Sequence, residues 1–164
     1  MYYAPEIFKS IGAETGTAFV QTVSVGAINL VFTFVAIWLV DKIGRRALLI
    51  SGASVQVVSL LAVGLLFQTE GNPWLLLVFI LVFVAAFAAA MGPVAWIVIS
   101  EIFPNKIRGK AVSIATIVLW ICCYLVSQTF PVLVEQIGSA NTFWLFAGFS
   151  LVALLFVLEL VPET

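Results

Sequence analysis

One polar side chain, Asn29, lies near the middle of a long apolar run, and it shares a helical face with other small or polar residues. The members of this face are spaced by 4, 3 and 4 residues: Thr22, Gly26, Asn29 and Thr33. The Asn29 amide could bind a polar ligand, or it could hydrogen-bond across a helix interface. Both interpretations stay open from the spacing alone.

A second polar face lies within a later apolar run, and its members recur every three or four residues. It comprises Ser113, Thr116, Trp120, Cys123 and Ser127. Hydroxyl and indole groups on one face suit contacts with a polar ligand, and they also suit the packing of helices in a membrane. The spacing does not choose between these two roles.

Gly92 and Pro93 interrupt a third apolar run, and Trp96 follows about one turn later. Pro93 has no N–H to donate to the carbonyl of Ala89, so we expect the helix to kink or open here. The face of the Trp96 indole suits the C–H face of a sugar, and it equally suits other apolar ligands.

Charged residues make up only 9% of the chain and concentrate in segments 41–46 and 100–110. Lys and Arg at these places are explained by membrane orientation, but acids contribute little to orientation. Orientation therefore accounts for the bases of these segments but not for Asp41 and Glu101, which need another explanation.

The composition excludes several classes of function. The chain has no His, and its two Cys, Cys122 and Cys123, are adjacent in an apolar run. Because no set of nucleophile, base and metal ligand is present, we expect no enzyme, no metal site and no cofactor. A net charge of -1, without a basic patch outside the charged segments, indicates no nucleic-acid partner.

Five apolar stretches must carry these side chains. With 63% apolar residues the chain cannot build a water-facing surface, so we expect an integral protein of the lipid bilayer. A bilayer core of about 30 Å needs roughly 20 apolar residues in a helix. The stretches that predict transmembrane helices are 17–40, 47–67, 74–99, 111–133 and 142–161, and residues 1–11 are expected to end a further helix.

The loops between these stretches differ in basic residues. Six of the seven Lys and Arg lie in segments 41–46 and 100–110, whereas segments 68–73 and 134–141 have none. An excess of Lys and Arg marks cytoplasmic loops, so the first two segments are predicted to be cytoplasmic.

The second and fifth stretches show fewer distinctive features than the other three, and Gln56 is the one amide in their cores. Stretches that meet mostly lipid can be apolar on all sides. We therefore expect these two helices to lie at the periphery of the bundle, against lipid.

Six short motifs occur in order along nearly the whole chain. They are YYAPEIF (2–8), GAINL (26–30), DKIGRR (41–46), GPVAW (92–96), SEIFPNKIRGKA (100–111) and VPET (161–164). Together they resemble the C-terminal half of the sugar porter family of the major facilitator superfamily, most of all its bacterial proton–xylose symporters. The resemblance implies an all-α, multi-pass bundle in which residues 1–164 form the end of helix seven and helices eight to twelve, without the N-terminal half.

The resemblance also implies where a sugar binds, near the bilayer midplane between the two halves. The matching substrate-binding positions are Asn29, Phe83, Phe87, Gly92, Trp96 and Trp120. Leu119 and Cys123 stand where the family usually has amides, so two expected hydrogen bonds to the sugar are lost. The acidic residue on which the symporters depend for proton coupling precedes residue 1 in this matching.

Gating residues follow from the same resemblance. Tyr2 and Tyr3 match aromatic residues that close the outer gate. The resemblance implies that an inner network of charges holds the outward-facing state closed at its base. Its members are Asp41, Arg45, Arg46, Glu101 and Arg108.

The implied function is transport of a monosaccharide, a pentose or a hexose, by alternating access in a bacterial inner membrane. The implied partners are the sugar, a proton as the coupling ion, the lipid bilayer and the N-terminal half. Three alternatives stay open: a facilitative uniporter, a transporter-like sugar sensor, and an inactive half-transporter fragment.

Overall fold

The computed structural model describes residues 15–161, with side chains from residue 19 onward, and helices joined by short connections make up this part of the chain. They are α1 (Thr15–Ile43), α2 (Arg45–Gln68), α3 (Pro73–Ala86), a π-helical turn (Phe87–Met91), α4 (Gly92–Ile102), α5 (Arg108–Ile137) and α6 (Ser139–Leu160). Since α3, the π turn and α4 form one continuous span, five spans in the described range are long and apolar enough to cross a membrane. The five predicted stretches and the all-α class are thereby confirmed. The prediction for residues 1–11 falls outside the described residues.

The connections at the charged end of the bundle are shorter than predicted. Gly44 alone separates α1 from α2, so the predicted loop 41–46 is almost entirely helical. Gly44 has a φ of 89°, a conformation that glycine adopts without strain. The predicted loop 100–110 shrinks to residues 103–107. Both loop predictions were wrong in extent, because Lys, Arg and Glu are good helix formers and the helices continue past the apolar residues.

The helix α2 lies at the centre of the described bundle, where it packs against α3, α6 and the π turn. Its most apolar window is 50% buried within the bundle, whereas the windows of the other four spans are at most 22% buried. Because the other half of this window is exposed, the expectation that α2 and α6 face lipid stays a prediction. Gly and Ala on α2 explain its contacts with its neighbours, because small residues allow helices to approach closely in membranes.

Two glycines of α2 bring its neighbours close. Gly52 lies directly against Ala90 of the π turn, and Gly64 lies directly against the indole of Trp144 on α6. The Trp144 indole N–H also donates to the Leu61 carbonyl oxygen at 3.4 Å. Since lipid tails are as apolar as the side chains they would replace, such close packing is the main source of helix association here.

Four phenylalanines join the opposite end of the bundle, away from the charged segments. The ring centroids of Phe67 on α2 and Phe143 on α6 are 5.3 Å apart in a stacked pair. Phe130 of α5 stacks on Phe146 at 5.9 Å and meets Phe143 edge-on at 6.2 Å. These contacts fasten α5, which has no buried residue of its own in the described bundle, to α6 and through it to α2.

The third span changes its hydrogen-bond register directly before Pro93. The Gly92 N–H donates to the carbonyl of Phe87, five residues earlier, instead of the residue four positions earlier. Because Pro93 has no N–H, a regular α-helix could not be continued through this point without loss of a bond. The predicted opening of the helix is confirmed, and it takes the form of a π turn.

Replacing Gly52 by Ala should destabilise the bundle by about 1–3 kcal/mol. The added Cβ would clash with Ala90 and lie 3.3 Å from the Ala86 carbonyl oxygen, so α2 and the third span would have to separate. Gly148→Ala is the matched control, because nothing lies within 4 Å of a Cβ at that position. Thermal unfolding in detergent measures both variants, and equal stabilities would contradict the close packing of α2.

Candidate functional site

The π turn determines which faces of the third span Phe87 and Trp96 occupy. In a continuous α-helix, nine residues at about 100° each would place these two side chains on opposite faces. A π turn takes up about one extra residue, which reduces the angular offset to roughly 80°. Both side chains are partly exposed in the described bundle, Phe87 at 39% and Trp96 at 41%. The π turn thus places the side chains of Phe87 and Trp96 on adjacent faces of the third span instead of opposite ones.

Gly92 lies beside the carbonyl and the ring of Phe87. A Cβ at this position would lie 3.4 Å from the Phe87 carbonyl oxygen and 3.8 Å from Cε1 of its ring. Both are ordinary van der Waals distances, so a Cβ at this position would touch the π turn and the Phe87 ring without a clash.

Phe83 has a different environment from Phe87, although both lie on the same span. It packs against the buried Val25 of α1 and Val84, and also against the cluster around Leu60 of α2. Its ring thus contributes to the packing between helices. Phe83, Phe87, Gly92 and Trp96 thus follow one another along the third span, and Gly92 lies next to Phe87.

Asn29 and Thr33 are half-buried on α1, which packs against α3, the π turn and α4. The Thr33 hydroxyl donates to the Asn29 carbonyl oxygen at 2.7 Å, so its hydrogen is used within the helix. The side-chain amide of Asn29 is the larger polar group of this face. Its helix is a direct neighbour of the one that carries Trp96.

Two hydroxyl groups on the polar face of α5 donate their hydrogens to backbone carbonyls of the same helix. Ser113 donates its hydroxyl to the Gly109 carbonyl at 2.8 Å, and Thr116 donates to Val112 at the same distance. Trp120, at 57% exposure, is left as the most prominent group of this face. Because α5 packs against α4, its Trp120 and the Trp96 of α4 belong to neighbouring helices.

The charged end of the bundle contains an ion pair between two different helices. The guanidinium of Arg45, the first residue of α2, pairs with the carboxylate of Glu101, in the last turn of α4. A cation at a helix N-terminus and an anion at a C-terminus both oppose the helix dipole. Because neither charge stabilises its own helix, we interpret the ion pair as a contact that holds α2 and α4 together.

Two further contacts tie the same end together, and neither was predicted. Arg46 donates from Nη2 to the Leu158 carbonyl oxygen at 2.7 Å, which joins the start of α2 to the end of α6. The ammonium of Lys42 lies 3.7 Å from the centroid of the Trp38 ring. The spacing of four residues could have revealed the Lys42–Trp38 pair. A bond from Arg46 to a backbone carbonyl on a distant helix leaves no signal in the sequence.

The remaining predicted gating residues are not brought together by the described part of the chain. Asp41 and Arg108 are exposed, and neither forms an ion pair within residues 15–161. Tyr2 and Tyr3 lie outside the described residues.

Comparisons with known proteins agree on one family. A family model described as "Sugar (and other) transporter" matches residues 1–164. The D-xylose-proton symporter of Escherichia coli (strain K12) is 44% identical over 170 residues, which cover 100% of this chain and 35% of that protein. The arabinose-proton symporter of Bacillus subtilis (strain 168) is 42% identical over 164 residues, with coverage of 99% and 35%.

A solved structure shows the same arrangement of helices. The chain superimposes on the proton:xylose symporter XylE of the major facilitator superfamily, bound to 6-bromo-6-deoxy-D-glucose, with a TM-score of 0.90 and 44% identity. The match covers 99% of this chain and 36% of that one. The chain therefore spans about a third of the length of the relatives it matches. By sequence and by fold, it belongs to the sugar transporter family of the major facilitator superfamily.

Proposed function

We propose that this chain is the C-terminal half of a transporter that carries a monosaccharide across a bacterial inner membrane by alternating access, with a proton as the coupling ion. The observation that carries the proposal is similarity along the entire chain to symporters of two pentoses, xylose and arabinose. The relatives are transporters, and no enzyme activity is proposed. In this arrangement residues 1–164 supply the last helices of the fold, and an N-terminal half completes the cavity.

The sugar would bind beside the π turn, between α1, α4 and α5. A monosaccharide has hydroxyl groups that need hydrogen-bond partners and C–H faces that pack on aromatic rings. The Asn29 amide supports the first role, while the exposed indoles of Trp96 and Trp120 support the second. Gly92 would let the sugar ring approach the third span closely beside Phe87. Phe83 lies about one turn before Phe87 on the same span and would support this wall of the site.

The Arg45–Glu101 pair would act in the inner gate, together with Asp41, Arg46 and Arg108. Its side chains are 31% and 42% exposed, so the pair alone is worth only about 0–1 kcal/mol. A network that adds charge-assisted bonds, such as the one from Arg46 to α6, can bias a two-state equilibrium further. Tyr2 and Tyr3 would close the opposite side. The excess of Lys and Arg in these segments supports a position of this gate at the cytoplasmic side of the membrane.

Trp96→Ala should abolish sugar uptake while leaving expression and unfolding temperature close to normal, since the exposed indole would lose its contact with the sugar. Trp74→Ala on the same span is the matched control. Trp74 is 69% exposed in the first turn of α3, at the far end from the π turn, so its loss should spare uptake. Uptake of labelled xylose and arabinose into cells expressing the natural full-length protein measures the effect. Near-normal uptake by Trp96→Ala would assign this residue to packing.

Glu101→Gln should shift the conformational equilibrium toward the inward-facing state by up to about fivefold, because it removes one charge of the Arg45–Glu101 pair. The rate at which an impermeant thiol reagent labels Cys123 from outside should fall accordingly. Lys106→Gln is the control, since it removes an exposed charge of the same segment that is not assigned to the gate. Labelling that is unchanged in Glu101→Gln would rule out a gating role.

Collapse of the proton gradient by a protonophore should stop accumulation of the sugar against its concentration gradient. Symport draws its driving force from the proton, whereas a facilitative uniporter only equilibrates the sugar. The measurement is the ratio of internal to external sugar with and without the protonophore. If the protonophore does not change uptake, and the internal sugar concentration never exceeds the external one, the uniporter is favoured.

A further inference from the structure

The helix α5 turns one face toward the rest of the described bundle. Partly buried positions recur at helical spacing along this face: Val112, Thr116, Cys123, Ser127 and Phe130. The ring of Phe130 contacts Phe143 and Phe146, so the face is directed toward α6 at this level. Cys123 therefore lies on the side of α5 that meets its neighbours α4 and α6.

Leu119 and Trp120 border Cys123 on this face. Successive residues of an α-helix differ by about 100°, so Leu119 lies about 40° to one side of Cys123 and Trp120 about 60° to the other. Leu119 is 39% exposed, less than its neighbours Val118 and Ile121 at 54% each, so its side chain is turned in part toward the bundle. This part of α5 therefore presents a leucine, an indole and a thiol side by side.

This part of α5 offers few hydrogen bonds to a ligand. A leucine offers none, a thiol is a weak donor and acceptor, and the indole of Trp120 donates one hydrogen and accepts none. Thr116 lies one turn before Trp120, and its hydroxyl donates its hydrogen to the carbonyl of Val112 at 2.8 Å. The α5 side of the proposed sugar site is therefore mostly apolar, whereas α1 carries the amide of Asn29.

An apolar side of a binding site disfavours any hydroxyl group that is turned toward it. Such a hydroxyl loses its hydrogen bonds to water and gains none, which lowers the affinity by roughly 10- to 100-fold. In a pyranose the first four carbons carry the ring hydroxyl groups, and the fifth carbon differs between sugars. It carries hydrogen in a pentose, a methyl group in a 6-deoxyhexose and a hydroxymethyl group in a hexose.

We propose that Leu119 and Cys123 form an apolar wall that selects a pentose or a 6-deoxyhexose over a hexose; this rests on the proposed function. The edge of the sugar at its fifth carbon lies against this wall. The ring hydroxyl groups then turn away from α5, toward Asn29 and the N-terminal half. The wall thus determines specificity without forming a hydrogen bond.

Two matched series of sugars test the wall in the natural full-length protein. One is D-xylose, 6-deoxy-D-glucose and D-glucose, and the other is L-arabinose, 6-deoxy-D-galactose and D-galactose. Within each series the ring hydroxyl groups are the same, and the fifth carbon carries hydrogen, a methyl group or a hydroxymethyl group. In calorimetric titrations, the pentose and the 6-deoxyhexose should bind with similar affinity, and the hexose at least about tenfold more weakly.

Leu119→Gln tests the place of the wall. The new amide supplies a hydrogen-bond partner for the hydroxymethyl group, so the preference for the pentose over the hexose should shrink about fivefold. Leu125→Gln is the matched control, because it introduces the same amide on the opposite face of α5, where Leu125 is 54% exposed. It should leave the preference unchanged. The Tm shows whether each variant is folded, and the titrations of the unsubstituted protein depend on neither variant.

The outcomes separate the wall from the function on which it rests. If none of the six sugars binds to the folded protein, the monosaccharide function fails, and the wall fails with it. If the hexose binds as tightly as the pentose, the function stands and the wall is refuted. Exclusion of the 6-deoxyhexose together with the hexose would also refute the wall, because the site would then select by size. An unchanged preference in folded Leu119→Gln would refute it as well.

Discussion

The constraint on which this structure depends is that a backbone in the interior of a membrane must satisfy its own hydrogen bonds. Pro93 cannot meet this constraint in a regular α-helix, and the π turn at Phe87–Met91 is the response. The turn changes the faces on which Phe87 and Trp96 lie, and it brings Ala90 against Gly52 of the central helix. One missing N–H therefore shapes both the aromatic surface proposed for the sugar and the packing behind it.

Two kinds of contact hold the rest of the bundle together: close apolar packing around α2, and polar contacts at the charged end. Small residues on α2 allow close approach to the π turn and to α6, while four phenylalanines join the far ends of α2, α5 and α6. At the other end, Arg45, Arg46 and Glu101 connect α2 to α4 and α6 by polar contacts that are partly exposed. Ionic contacts in reach of water are weak and exchangeable, which suits a gate, whereas apolar packing suits a rigid support.

The sequence predicts the parts of this architecture that depend on local composition. The five spans follow from hydropathy, and the break at Pro93 follows from a missing N–H. The central position of α2 was not predicted, because it depends on which residues of other helices contact Gly52 and Gly64. The partner of Arg45 and the bond from Arg46 to Leu158 likewise require the three-dimensional arrangement. The π turn was predicted as an opening, but its effect on the faces of Phe87 and Trp96 depends on a register that periodicity cannot supply.

The most direct test of the account is a structure of the natural full-length protein with xylose or arabinose bound. The account predicts that the sugar lies beside the π turn, with its C–H face on the Trp96 indole and a hydroxyl within hydrogen-bond distance, about 3 Å, of the Asn29 amide. A sugar bound away from α1 and α4, or no binding of either pentose to a correctly folded protein, would contradict it.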